Sequence, residues 1–109
     1  MAYISLDLQF AIGEHRRIKA EAMMQVRYEA KAVKDMKAIT PVDRTRIRQK
    51  IEQYAADPAS QANNVKALQG SDLYRLRVGD YRAIFAVEED GTLTIMVVIR
   101  VRHRREVYD

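Results

Sequence analysis

Hydrophobic and polar positions alternate with two different periods along this chain, and the change of period marks out its elements. Ile4, Leu6, Leu8, Phe10 and Ile12 alternate with mostly polar neighbours, which is a strand period. Gly13 interrupts that row, and Glu14 to Met23 is compatible with a short helix; Leu8 and Ile12 also share a helical face, so a helix from about residue 5 is a second reading. Gln25 to Tyr28 alternates again and predicts a short strand. Ala32, Val33, Met36 and Ile39 recur at helical spacing and predict a helix over 30–39. Thr40 then stands as N-cap, with Pro41 at the first helical position of a second helix running to about Ala56. Its apolar stripe is Ile47, Ile51, Tyr54 and Ala55, and Asp57-Pro58 stops it. Residues 58–64 read as a polar loop. Leu73–Val78, Tyr81–Val87 and Leu93–Val101 are β-rich runs, separated by the turn-forming pairs Gly79-Asp80 and Asp90-Gly91.

Short connections between successive runs imply antiparallel pairing. The order β-α-α-β-β-β therefore predicts an α+β domain over residues 24–109, with two N-terminal helices packed on a small antiparallel sheet. Residues 1–23 form an N-terminal extension to which the pattern assigns no single structure.

Composition narrows the chemistry. A chain of 109 residues with 48% hydrophobic positions supports one core and one domain. Nineteen Lys and Arg against fifteen Asp and Glu give net +4, which suits a polyanionic partner without demonstrating one. There is no cysteine, hence no disulfide framework or catalytic thiol, and the two histidines are far apart, so no metal site is expected. No apolar run approaches the roughly 20 residues of a membrane span. The leading residues carry no basic n-region, so no secretory signal is expected and the cytoplasm is the default compartment. Gly-rich phosphate loops and nucleophile elbows are absent, and no cofactor is expected.

Strand alternation decides which charged side chains share a face. Tyr74, Leu76 and Val78 face one way, and Arg75 and Arg77 the other. Across the Gly79-Asp80 turn, Tyr81, Ala83, Phe85 and Val87 continue the apolar row, and Arg82 falls beside Arg75 and Arg77. Guanidinium forks match phosphate oxygens and keep their charge, so these three predict a phosphate platform on a solvated face. In the last run, Leu93, Ile95, Val97, Ile99 and Val101 read as one apolar row, with Arg100 and Arg102 opposite. His103 and Tyr108, near Arg104 and Arg105, could move protons. Arg44, Arg46, Arg48 and Lys50 give the second helix a basic surface that could follow a phosphate backbone. For each cation and for His103 alone, a solvated surface position is the simpler account, and for Tyr108 a terminal anchor packed on the sheet; the convergence of three arginines beside a tight turn favours a polyanion site.

The segments Lys66-Ala67-Leu68-Gln69-Gly70, Leu73 to Arg82 (LYRLRVGDYR) and His103 to Tyr108 (HRREVY) resemble the RelE/ParE toxin superfamily. The resemblance spans Met24 to Asp109. It implies a toxin held inactive by a cognate antitoxin and, in the RelE branch, an endoribonuclease that enters the ribosomal A site and cleaves mRNA through the 2′-hydroxyl without metal or cofactor. Matched residue by residue, Arg75 and Arg77 would hold the RNA; Arg44 and Arg48, from the basic surface of the second helix, are expected as further phosphate contacts on charge alone. Arg82 and Arg104 would stabilise the transition state, Tyr108 would orient or deprotonate the nucleophile, and His103 would serve as acid or base. Some RelE nucleases carry lysines where this chain has Arg75 and Arg77, which shifts the acid role toward His103. Arg102 stands where a glycine commonly precedes the His-Arg pair. The competing expectation is a ParE-like toxin that inhibits DNA gyrase without catalysis; a third is a module that only binds nucleic acid. Because the family boundary falls at Met24, the expected first residue of the native chain is Met23 or Met24.

Overall fold

The computed structural model describes residues 23–106. The strand and helix readings of the first 22 residues lie outside them, as does Tyr108. The elements run β1 (Gln25–Tyr28), α1 (Ala30–Lys37), α2 (Pro41–Ala56), a 3-10 segment (Pro58–Asn64), β2 (Val65–Ala67), β3 (Tyr74–Val78), β4 (Tyr81–Asp90), β5 (Leu93–His103) and a last 3-10 turn (Arg104–Glu106). This is the expected α+β architecture. Pro41 opens α2 and Thr40 occupies the N-cap position, although its hydroxyl makes no capping hydrogen bond.

The sheet has five strands in the order β1-β5-β4-β3-β2 and is mixed. The three hairpin-connected strands are antiparallel as expected, but β1 lies parallel to β5, with Gln25 opposite Ile95 and Tyr28 opposite Val98. The physical reason is the apolar centre of β5. Ile95, Met96, Val97 and Val98 are all buried, so this strand needs a neighbour on each side. β4 supplies one, and β1, returning through the two helices, supplies the other. Alternation identified β1 as a strand but carried no information about its partner.

Three further differences are local. The predicted polar loop is 3-10 helical and held by side chains, Gln61 Nε2 donating to Gln53 Oε1 at 3.3 Å and Asn64 Nδ2 to Gln61 Oε1 at 3.0 Å. β2 is only three residues long, too short for a period to show. The second hairpin also reaches further than expected: Asp90 still pairs with Leu93, leaving Gly91 and Thr92 as the turn.

The core lies between the helices and one sheet face: Ala32 and Met36 from α1, Ile47, Ile51 and Ala55 from α2, and Leu76, Val78, Ala83, Phe85, Met96, Val98 and Val101 from the sheet. Tyr54 and Tyr74 flank the Phe85 ring, at centroid distances of 5.2 Å and 5.5 Å. β5 does not present one continuous apolar row. A bulge pairs Ile84 with Arg100 but Phe85 with Val98, so Val98 and Val101 both face the helices and Ile95 and Val97 take the other side. Among the described residues no helix is long and apolar enough to cross a membrane.

Candidate functional site

The register of three strands builds the site. Arg77 on β3 lies directly opposite Arg82 on β4, and Arg82 directly opposite Arg102 on β5. Paired residues start from the same face, so Arg77 and Arg82 stand side by side on the face away from the helices. Arg102 continues that line in register on β5, at the sheet edge, where its charge also acts on Asp35 of α1. Arg75 lies one pleat further along the same face, beside Lys66 of β2.

Like charges directly opposite one another are destabilising. The strain is concentrated on Arg82. Burial, together with the charges of Arg75, Arg77 and Arg104, pushes its guanidinium below the ordinary arginine value, and Asp80 offsets this in part. Its Nη1 donates to the Tyr81 carbonyl at 3.3 Å. Arg75 is 9% exposed, so the platform is less solvated than alternation alone implied. A row of mutually repelling cations, partly withdrawn from water, is stabilised by an anion placed among them.

Arg104 joins the cluster through the chain's last turn. Its amide donates to the Asp80 carbonyl, at 2.6 Å, and its Nε stands 3.7 Å from Asp80 Oδ1, stitching the end of β5 to the β3–β4 turn. Gly79 in that turn has φ +59, a left-handed conformation that glycine adopts without strain. Arg46 Nη1 of α2 comes within 3.5 Å of where a Cβ at Gly79 would sit, bringing a further cation to the turn.

Of the residues singled out in the sequence, the structure thus gathers Arg75, Arg77, Arg82 and Arg104. It does not bring His103 into the row. His103 pairs with Tyr81, edge-on at 5.3 Å, on the helix-facing side of the sheet. Its Nδ1 accepts the Arg105 amide at 3.2 Å. Arg44 is occupied elsewhere: its Nε and Nη2 donate to the Met36 and Ile39 carbonyls at 2.9 Å and 2.8 Å, closing the C-terminal end of α1. Arg48 lines a groove with Tyr28, Val33 and Met36, also away from the row. Two cations were missed as site members, Arg102 and Arg46. Arg102 was legible in principle, since alternation put it opposite the apolar face; what singles it out is the pairing with Arg82, which only register supplies.

Residues 26–108 match the family model described as the ParE toxin of the type II toxin–antitoxin system parDE. The chain belongs to the RelE/ParE toxin superfamily. No curated protein sequence matches it. Among solved structures, the toxin of the RelB–RelE complex from Methanococcus jannaschii is 30% identical, with 76% of this chain covering 95% of that one at a TM-score of 0.54. The archaeal RelE–RelB complex from Pyrococcus horikoshii gives 22% identity, 78% and 99% coverage and a TM-score of 0.62. The RelBE2 complex from Mycobacterium tuberculosis gives 21%, 76% and 93%, and 0.64. At those two lower identities the likeness is one of fold. This toxin therefore carries the superfamily fold, with an arginine cluster on the sheet face away from the helices.

Proposed function

We propose that this toxin is a metal-independent endoribonuclease that cleaves mRNA in the ribosomal A site and so stops translation. The observation that carries the reading is the convergence of Arg75, Arg77 and Arg104 on Arg82, with Arg102 next to Arg82 in register. Arginine remains cationic and does not act as a base, so the row's contribution is charge and position. The scissile phosphate lies against Arg82, flanked by Arg77 and Arg102, with Arg75 holding the adjoining backbone. The RNA 2′-oxygen attacks phosphorus as its proton is lost, and the bond to the 5′-oxygen breaks; the departing oxygen takes a proton from water, leaving a 2′,3′-cyclic phosphate and a free 5′-hydroxyl. Arg82 and Arg104 stabilise the charge that accumulates on the non-bridging oxygens. Tyr108 is the candidate to orient or deprotonate the 2′-hydroxyl. The positioned nucleophile belongs to the substrate, so alignment and charge neutralisation supply most of the acceleration.

The solved relatives named above are toxin–antitoxin complexes, which supports a cognate antitoxin as the inhibitory partner. The match to the ParE model favours a second reading, a non-catalytic inhibitor of DNA gyrase. Induced expression of wild type and Arg82→Ala in a bacterial host, with mapping of mRNA 5′ ends, separates the two. New ends inside translated codons, seen only with wild type and only during translation, are the expected result. Growth arrest with intact messages and a DNA-damage response would transfer the toxin to the gyrase branch.

A further inference from the structure

Among the described residues no strand lies beside β5 beyond Val98, because β1 ends at Tyr28 opposite Val98 and the chain turns away into α1. Along this stretch α1 and β5 enclose a groove of ≈ 310 Å³, lined among others by Ala38, Ile39, Tyr81, Arg102 and His103. That is the low end of the roughly 300–1,000 Å³ typical of small-ligand sites. Its walls are of three kinds: aliphatic carbon from Ala38 and Ile39, aromatic rings from His103 and Tyr81, and the guanidinium of Arg102. The His103 ring is fixed twice, by its edge-on contact with Tyr81 and by the Arg105 amide on Nδ1. Asp35, on the floor, has its oxygens engaged by the Arg100 guanidinium and the Val101 amide, so the groove does not present an unneutralised carboxylate. Past Asp35 and Ala38 the hollow continues over Lys31 and Lys34, so cations flank the groove on both sides.

A flat heteroaromatic ring fits these walls, since bases are gripped by stacking on aromatic rings and guanidinium planes. Arg102 belongs both to the arginine row and to this groove. An RNA strand whose phosphate rests on the open face has its neighbouring base at the sheet edge, one residue from the row. We propose that the groove beside His103 holds one nucleobase of the RNA whose phosphate sits on Arg77, Arg82 and Arg102. The inference rests on the phosphate reading and adds to it the part of the substrate that the sheet edge recognises.

The test uses the full-length chain and two fluorescein-labelled tetramers with equal numbers of phosphates: 2′-O-methyl RNA, which resists cleavage, and its abasic counterpart. Wild type binds the RNA tetramer roughly ten-fold more tightly, as expected for stacking of one base. Ala38 is exposed at the end of α1, so Ala38→Leu fills the groove without entering the core. Both Ala38→Leu and His103→Ala bring RNA binding down to the abasic level and leave abasic binding and its salt dependence unchanged. Arg82→Ala weakens both tetramers alike. Equal affinities in wild type, or a preference for RNA that survives in either groove variant, overturns the base site alone. Failure of both tetramers to bind, or indifference of both to Arg82→Ala, overturns the phosphate reading and this inference with it.

Discussion

Asp35 and Arg100, 65 residues apart in sequence, are joined by two hydrogen bonds, Arg100 Nε to Oδ2 at 2.8 Å and Nη2 to Oδ1 at 3.1 Å. The same Oδ2 accepts the Val101 amide at 2.9 Å. One carboxylate on α1 thereby satisfies the exposed edge of β5 just after its bulge and just before Arg102. It fixes the stretch of strand on which the arginine row and the groove both depend.

Acid should uncouple this link. Burial works to raise the Asp35 carboxyl, but the hydrogen bonds from Arg100 and Val101, with the charges of Arg100 and Arg102, hold it below the ordinary value. A carboxyl lowered in the folded state stabilises fully above its unfolded value of about 3.9 and loses that contribution as pH falls through the folded value. Asp35→Asn is expected to cost about 2 kcal/mol at neutral pH. Urea titrations should show this deficit shrinking as the pH falls below about 4; a deficit of undiminished size in acid would assign the loss to packing instead.

Repulsion within the arginine row gives a second prediction. Arg82→Gln keeps a polar side chain at this position and removes the most crowded charge. Unfolding free energy should stay level or rise, by up to roughly 1 kcal/mol. Sulfate should raise the melting temperature of wild type more than that of Arg82→Gln. Identical sulfate responses would show that the row does not hold the anion.

Arg102 is expected to bind phosphate although it was not picked out as a site residue. Arg102→Ala should weaken binding of single-stranded RNA and reduce the slope of log affinity against log salt by about 0.7, the loss of one phosphate contact. An unchanged slope would remove Arg102 from the row.

The opposite pattern is expected for Arg44. Arg44→Ala opens the C-terminal end of α1 and should cost about 1–2 kcal/mol of stability through its two lost hydrogen bonds to carbonyls. RNA affinity and its salt slope, measured well below the melting temperature, should remain at the wild-type level. A lowered slope would return Arg44 to the phosphate surface.

Tyr28 offers a stabilising substitution. Its hydroxyl is buried without a hydrogen-bond partner among the described residues, and burial pushes the phenol upward, with Glu52 adding to that and Arg48 opposing it. Tyr28→Phe removes the unsatisfied group and keeps the ring, so stability should rise by roughly 0.5–1 kcal/mol. A fall in thermal stability would mean the hydroxyl is satisfied in solution.

Period and turn chemistry made the elements legible. The stripe Ile47, Ile51 and Ala55 marked α2, Gly79-Asp80 marked the first hairpin, and the alternation of LYRLRV placed Arg75 and Arg77 on the face away from the core. These are local properties, set by side-chain spacing of 3.6 or 2 residues and by the few conformations a two-residue turn allows. The cationic character of the site was equally legible, because arginine carries its charge in any fold.

The tertiary structure decided which of these residues meet. Register set Arg77, Arg82 and Arg102 in line across three strands, and register depends on pairing between distant segments. The bulge at Ile84 broke the apolar row expected for β5, because an extra residue in one strand has no periodic signature. His103 fell on the helix-facing side because it pairs with Tyr81, and Arg44 was claimed by carbonyls of α1 that no sequence spacing points to. Local spacing determined the two helices, four of the five strands and the kind of chemistry they could carry, but not the three-residue β2; long-range pairing, which the chain acquires only on folding, decided which charges share a face.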